Sequence, residues 1–116
     1  MYARHVSLNL KPNQREELTR TFEKDILPLL QKQNGFTDEI AFVSPDAKNA
    51  IAISLWDRKE SADVYSRETY PQVLKSLARM VEGTPEVRGY EVAVSTLHKT
   101  AAARSGEGLA SPRHTT

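Results

Sequence analysis

The sequence predicts an α+β fold of the ferredoxin-like type, with the element order β-α-β-β-α-β and a four-stranded antiparallel sheet. Three observations predict it. An alternating strand leads into an amphipathic helix; two later strands are separated only by a turn sequence; and the second of these leads into another helix and a last strand. Because crossover connections are right-handed, both helices are expected on one face of the sheet.

The strand at residues 50–56 is central to this prediction. Its residues are nearly all apolar on both parities, and it ends at Trp56, the only tryptophan of the chain. A strand with one solvated face alternates apolar and polar residues, so this strand is expected to be buried on both faces.

The second helix is predicted to follow directly and to be broken near Tyr70. Asp57 and Glu60 have the spacing of a capping box, which predicts Asp57 as the N-cap. Pro71 suits the first turn of a new helix better than a helix interior. Gly83 is the expected residue just beyond the helix end.

The first strand, residues 2–10, has two different faces. One parity carries Arg4 among large apolar residues, and the other is small and polar: Ala3, His5, Ser7 and Asn9. The helix that follows is predicted to begin with a capping box at Asn13, to kink at Pro28 and to end at Gly35.

Residues 36–43 are predicted as the second strand, joined to the third by the turn at residues 44–49. Residues 84–89 are expected to be a loop and residues 90–98 the fourth strand. The predicted domain spans residues 1–100. Residues 101–116, small and polar, are predicted to be a disordered tail, either solvated or serving as a partner-binding arm or lid.

Composition limits the classes of partner. The formal net charge is +1 with acids and bases interspersed, which gives no field for nucleic acid or an anionic membrane. No stretch approaches a membrane span, and residues 1–10 do not resemble a signal peptide. The chain has no cysteine, so thiolate metal sites are excluded. A cytoplasmic location is expected.

The apolar content of the strands also predicts assembly. Two helices cover one sheet face only, yet the third strand is apolar on both sides. A monomer would expose a larger apolar patch than soluble monomers tolerate. A two-fold homodimer, with the bare sheet faces packed together, is therefore expected.

Four stretches resemble the antibiotic biosynthesis monooxygenase (ABM) domain family of the dimeric α/β-barrel superfamily. They are ARHVSLNLKP, the tripeptide Asn34-Gly35-Phe36, SLWDRKESADVY and GYEVAVSTLHK. The resemblance covers residues 1 to about 100. It implies a dimer whose two sheets form a shared barrel, with a pocket in each subunit between sheet and helices. It also implies either cofactor-free oxygenation of quinols and aromatic polyketides or haem degradation.

The resemblance does not extend to the haem-degrading residues. The haem-degrading members resemble this chain, but they use an asparagine on the first strand, and a tryptophan and a histidine on the second helix. By register from Trp56, the corresponding positions in this sequence are His5, Tyr65 and Lys75. None of the three matches, and an ammonium group must lose its proton before it can ligate iron. Haem is therefore disfavoured, and no cofactor is expected.

Three residues are candidates for proton transfer: His5, Tyr65 and Tyr70. His5 is either a base at a substrate hydroxyl or a hydrogen-bonded structural histidine. Tyr65 and Tyr70 bracket the predicted helix break and either hold a substrate oxygen or pack the core. His98 and Lys99, at the end of the last strand, are expected at the barrel rim.

Four residues are candidates for substrate binding: Trp56, Ser7, Asn9 and Arg67. Trp56 either stacks on an aromatic substrate or anchors the core. Ser7 and Asn9 share the polar parity with His5 and leave room for a ligand if that face meets the helices. Arg67 either stabilises an anion or is a solvated helix residue. No metal-ligand spacing, phosphate loop or nucleophile elbow is present.

Three functions remain open from the sequence. The first is a cofactor-independent monooxygenase of a small aromatic, quinol- or polyketide-like substrate. The second is a non-catalytic homodimer of the same fold, which either binds a small apolar ligand or is a structural or stress-related module. The third is a haem-linked enzyme.

Overall fold

The predicted ferredoxin-like α+β architecture is confirmed. The computed structural model describes residues 1–97, in which four strands form one antiparallel sheet in the order β2-β3-β1-β4. The strands are β1 (Tyr2–Asn9), β2 (Phe36–Val43), β3 (Asn49–Trp56) and β4 (Glu86–Glu91). The helices are α1 (Arg15–Thr21), α2 (Leu27–Gln31), α3 (Lys59–Glu68) and α4 (Tyr70–Leu77), with a π-helical segment, Phe22–Ile26, between α1 and α2.

β3 lies between β1 and β2, and the burial predicted for both of its faces is complete on one face and partial on the other. Alternate residues face the helices and are buried: Ala50, Ala52, Ser54 and Trp56. The intervening residues Ile51, Ile53 and Leu55 face the opposite side of the sheet. The core therefore lies between the sheet and the helices, and a second apolar surface lies behind the sheet.

The first helix has its irregularity just before Pro28. The Leu27 amide donates to the Phe22 carbonyl, a bond that spans five residues instead of four. Pro28 has no amide hydrogen to donate, and its ring crowds the preceding turn, so a widened turn suits it. The predicted kink takes the form of this π-helical segment.

The break in the second helix falls at Thr69, between α3 and α4, as predicted. The predicted caps are wrong. Arg58 is the N-cap of α3, and Asp57 instead accepts a hydrogen bond from the Ser61 hydroxyl at 2.7 Å. α1 is preceded by Gln14, and neither α1 nor α3 has a side-chain cap.

Two further boundary predictions are wrong. Gly83 lies six residues after the end of α4, so it is not the residue that terminates this helix. β4 occupies Glu86–Glu91, so it begins where a loop was expected and shares only residues 90 and 91 with the predicted strand at 90–98. β4 is an exposed edge strand that pairs only with β1, and its pairing stops at Glu91 because Tyr2, its partner, begins β1. Burial therefore does not impose the alternating pattern on which the prediction relied.

The sheet face turned away from the helices is largely apolar. It carries Ile51, Ile53 and Leu55 from β3 between Ile40 and Phe42 on β2 and Ala3 on β1, with Tyr90 on β4. Phe42 and Tyr90 are about half exposed, at 49% and 50%. No helix of residues 1–97 covers this face. We call it the open sheet face.

Within residues 1–97, no helix has the length and apolar character needed to cross a membrane. The predicted tail, residues 101–116, and the predicted rim residues His98 and Lys99 lie outside the described residues. The expected cytoplasmic location stays a prediction.

Candidate functional site

A small pocket lies between the sheet and the helices, which we call the inner pocket. Its volume is about 30 Å³, room for one water molecule. Its walls are mostly apolar side chains of β1, β3, the π-helical segment and α4. Five polar side chains also line it: Arg4, Glu39, Ser54, Tyr65 and Tyr70.

Arg4 is the charged group of the inner pocket. The alternation of β1 turns Arg4, Val6 and Leu8 toward the helices, and Arg4 is only 5% exposed. Its guanidinium carbon lies 3.9 Å from the centre of the Tyr70 ring and 5.2 Å from that of Tyr65. These cation–π contacts fix the guanidinium between the two rings.

The guanidinium of Arg4 is incompletely paired. Its Nε donates to the Ser66 hydroxyl at 2.7 Å, and within residues 1–97 no carboxylate lies within 4.0 Å of it. A buried charge with no carboxylate in direct contact is costly, because its desolvation is only partly repaid. The arrangement therefore favours an anionic or strongly polarised oxygen beside Arg4.

Glu39 is the acid of the inner pocket. It lies on β2 opposite Ser54 and faces the helices, where it is partly buried. Burial raises the pKa of Glu39 to about 8, although the positive charge of Arg4 opposes the rise. A carboxylate with a pKa near neutrality is suited to accept a proton from a weakly acidic hydroxyl.

Tyr65 and Tyr70 contribute neutral phenols. Burial raises the pKa of both, in each case against the charge of Arg4, so both remain protonated near neutral pH. Their ring centres are 6.2 Å apart. The Tyr70 hydroxyl is buried beside the Arg4 guanidinium, whose hydrogen-bond interaction opposes the rise of the Tyr70 pKa, and it makes no further hydrogen bond among the described residues.

Trp56 lies beside the inner pocket and does not line it. It is fully buried, its indole N–H donates to the Ser54 hydroxyl at 2.8 Å, and its ring packs 5.1 Å from Tyr65. This is the core-anchor alternative of the two that the sequence left open. Trp56 positions Tyr65, and it has no free face on which a substrate ring could stack.

The structure corrects the expected place of His5. His5 and Ser7 lie on the open sheet face, across the sheet from Tyr65 and Tyr70, so the three proposed proton-transfer residues do not share a pocket. The His5 ring instead contacts Tyr90 edge-on at 6.2 Å. Asn9 is exposed at the end of β1 and accepts a hydrogen bond from the Asn49 amide at 3.0 Å.

Arg67 and Lys75 are both exposed on the helices. Arg67 pairs with its neighbour Glu68 at 3.4 Å, which is the solvated alternative considered for it. The residues of β1 that line the inner pocket with Tyr65 are Arg4, Val6 and Leu8, whereas His5, the residue selected by the register from Trp56, faces the other side of the sheet. Within residues 1–97 no group of three or more His, Asp or Glu side chains is arranged to hold a metal ion.

Sequence reasoning missed Arg4 and Glu39 as functional candidates. Arg4 stood on the large apolar parity of β1, and a charge on an otherwise core-facing stripe was the available signal. The sequence signal for Glu39 was weaker, because β2 is an edge strand whose burial pattern is irregular. A bulge between Phe36 and Asp38 also changes which residues of β2 face the helices.

Comparison with known proteins bears on the fold. No family model matches the sequence, and no curated protein matches it. Solved structures do. A monooxygenase from Streptomyces coelicolor, determined in complex with the ligand nanaomycin D, superposes with a TM-score of 0.70 at 13% identity over 84% of this chain and 92% of that chain.

Two further solved structures have the same fold. A candidate antibiotic biosynthesis monooxygenase from Deinococcus radiodurans has a TM-score of 0.67 at 13% identity, covering 82% of this chain and 95% of that one. A protein of unknown function from Nitrosomonas europaea has a TM-score of 0.68 at 19% identity, covering 84% and 94%. The resemblance to ABM-type proteins is thus confirmed in the fold.

Proposed function

We propose that this protein is a cofactor-independent monooxygenase of small aromatic hydroxyl compounds, quinol- or polyketide-like, and that it acts at the inner pocket. The observation that carries the proposal is Arg4, a buried guanidinium held between two tyrosine rings with no carboxylate of residues 1–97 within 4.0 Å. The shared fold with a monooxygenase solved with nanaomycin D supports the reaction class. The fold alone does not determine the reaction.

In the proposed reaction the substrate is the only reductant. Glu39 accepts the hydroxyl proton, and Arg4 stabilises the oxyanion that forms. The electron-rich anion passes one electron to dioxygen, and the resulting radical pair combines at an activated ring carbon as a hydroperoxide. Loss of water then leaves a carbonyl, so one oxygen atom enters the product and the other leaves as water with two substrate hydrogens.

The polar groups around Arg4 take separate roles in this scheme. The neutral phenols of Tyr65 and Tyr70 donate hydrogen bonds to the oxyanion. The apolar remainder of the inner pocket excludes water, which strengthens the attraction between Arg4 and the anion. Positioning and charge stabilisation are the whole of the protein's contribution.

Oxygen consumption tests this function. Chelator-treated protein is given a panel of quinols and anthrones, and the rate is compared with the spontaneous rate. We expect wild-type turnover, a loss of at least about a hundredfold in Arg4→Gln, and near wild-type rates in Arg67→Gln, an exposed arginine control. Uptake no faster than the spontaneous rate across the panel would contradict the proposal.

Haem does not suit the donor set of the inner pocket. Its polar residues include no histidine, and a guanidinium stays protonated and cannot ligate iron. A tyrosine ligand must first lose its proton, which the raised pKa of Tyr65 and Tyr70 opposes. The absence of a cofactor requirement is therefore part of the proposal.

A second candidate is a non-catalytic module that binds a small ligand. The observation that favours it is the volume of the inner pocket, which holds one water molecule and no aromatic ring without rearrangement. Such a module would bind hydroxyarenes in the presence of oxygen and return them unchanged. Product analysis by mass spectrometry after prolonged incubation separates the two functions.

We also propose that the protein acts as a homodimer through the open sheet face. The support is the run of apolar side chains across three adjacent strands. Leu55 is only 6% exposed, whereas Ile40 and Phe42 are 41% and 49% exposed. A patch of this kind on a soluble protein marks an interface. An isologous pairing of two such faces would bury it symmetrically.

A further inference from the structure

A second cavity adjoins the inner pocket, on the outside of the molecule. It has a volume of about 210 Å³ and lies between the first helical region and β2. Its apolar walls are Leu18, Phe22, Leu27, Ala41 and Val43, and Glu39 lies at its inner end. We call it the β2 cleft.

The β2 cleft and the inner pocket share two residues, Phe22 and Glu39. Phe22 begins the π-helical segment, where the widened turn interrupts the regular packing of the helix against the sheet. Phe22 and Glu39 therefore lie on the boundary between the two cavities.

The shape of the β2 cleft comes from small residues on an edge strand. Ala41 faces the helix side of β2, yet it is exposed because nothing large fills the space beside it. The volume is below the roughly 300–1,000 Å³ of sites for drug-sized ligands. It therefore suits one or two fused rings.

The charges of the cleft favour a neutral ligand. The ionisable residues that line it are Glu23 and Glu39, and its described lining contains no lysine or arginine. Neither side chain offers a positive charge to an anionic ring, and a protonated hydroxyarene needs none. The positive charge lies deeper, at Arg4, which is where an oxyanion would be stabilised after proton transfer.

We propose that the β2 cleft is the ring subsite for a neutral one- or two-ring hydroxyarene, whose hydroxyl group passes between Phe22 and Glu39 toward Arg4. This inference rests on the proposed function and assigns its substrate class and point of entry. It explains how a site with a water-sized inner pocket acts on an aromatic compound: only the oxygen enters, and the rings stay in the cleft.

Binding under anaerobic conditions tests the inference without turnover. Fluorescence titration with 2-naphthol is carried out on wild-type protein and on Ala41→Phe, which fills the cleft from the sheet side. Thr19→Phe fills it from α1, in case one variant misfolds. Ala78→Phe, at an exposed site beyond α4, is the control.

We expect the dissociation constant to rise tenfold or more in Ala41→Phe and Thr19→Phe and to stay within about twofold in Ala78→Phe. Wild-type protein should also bind 2-naphthol more tightly than naphthalene, and Glu39→Ala should remove this preference. Equal affinities in all variants, or no saturable binding to the wild type, would overturn the inference.

The two experiments together distinguish a failure of this inference from a failure of the oxygenase proposal. Binding that depends on the cleft, without oxygen uptake, would leave the subsite in place and remove the catalytic function. Oxygen uptake that is unchanged in Ala41→Phe and Thr19→Phe, with the same KM, would retain the function and place the substrate elsewhere.

Discussion

Arg4 is the residue on which the proposed chemistry depends. It occupies a position where its neighbours Val6 and Leu8 are core residues, and it has one hydrogen bond to the Ser66 hydroxyl. Such a charge is a cost to the fold, because it is desolvated without a carboxylate beside it. Sites that hold strain or charge of this kind are often functional, since the ligand supplies the missing interaction.

Replacing Arg4 should therefore separate stability from activity. In Arg4→Met we expect a free energy of unfolding equal to that of the wild type or higher by about 1 kcal/mol, because the unpaired charge is removed. Turnover and oxyanion binding should be lost. Urea denaturation monitored by tryptophan fluorescence measures the free energy of unfolding. A loss of more than about 2 kcal/mol would mean that Arg4 is primarily structural.

Glu39 predicts a pH dependence of catalysis. Its carboxylate form is the proton acceptor and its pKa is about 8. We expect kcat/KM for oxygen uptake to rise from about pH 6 to about pH 9 with a midpoint near 8. Glu39→Gln should lose this rise, whereas Glu68→Gln, an exposed acid on α3, should keep it. An identical profile in Glu39→Gln would contradict the assignment.

Glu39 also predicts a pH dependence of stability. Its pKa is higher in the folded protein than in the unfolded chain, so the folded state holds the proton more tightly. Its stabilising contribution is complete below the ordinary carboxyl pKa and is lost as pH rises through about 8. Thermal unfolding of wild type and Glu39→Gln across this range should show a smaller loss in the variant.

Among the elements, those with two-sided burial were predictable and those at the edge were not. β3 and the break between α3 and α4 follow from residues 49–77, because burial and Pro71 leave few alternatives. β4 was misplaced because it is exposed on both faces. The two parities of β1 were predictable, but which of them meets the helices was left open.

The junction between α2 and β2 offers a test of local geometry. Gly35 has a φ of 83°, and a Cβ atom there would overlap the Asp57 carboxylate and the Ser61 side chain. Gly83 has a similar φ of 72° with open space around it. The first position is therefore restricted by both backbone and packing, and the second by backbone alone.

We expect Gly83→Ala to cost about 1 kcal/mol of unfolding free energy, from the left-handed backbone. Gly35→Ala should cost at least about 1 kcal/mol more, because the start of α3 must move. Urea denaturation of both variants measures the difference. Equal costs would show that the contact with Asp57 and Ser61 is easily displaced.

The open sheet face is the surface through which we propose that the protein forms a homodimer. Its apolar side chains were evident from sequence, and the structure places them together on the side away from the helices. His5 lies on this face with its Nδ1 buried and without a hydrogen-bond partner among the described residues. His5, which sequence reasoning gave to catalysis, thus lies on the face that we propose as the dimer interface.

Ile53 lies near the centre of the open sheet face, between His5 and Ile40. We expect Ile53→Arg to be monomeric at concentrations where the wild type is dimeric, because a two-fold interface would bring two desolvated charges together. Val64→Arg, at a 41% exposed position on α3, is the matched control and should remain dimeric. Sedimentation velocity distinguishes the species, and a monomeric wild type would contradict the proposed interface.

The stabilisation of an oxyanion by Arg4 is tested most directly by the ionisation of a bound hydroxyarene. The absorbance of protein-bound 2-naphthol is followed against pH without oxygen, in wild type, Arg4→Gln and the exposed control Arg67→Gln. We predict that the bound probe ionises about one pH unit or more below the free probe in wild type and Arg67→Gln, but not in Arg4→Gln. Ionisation of the bound probe at the same pH in all three proteins would contradict the role of Arg4.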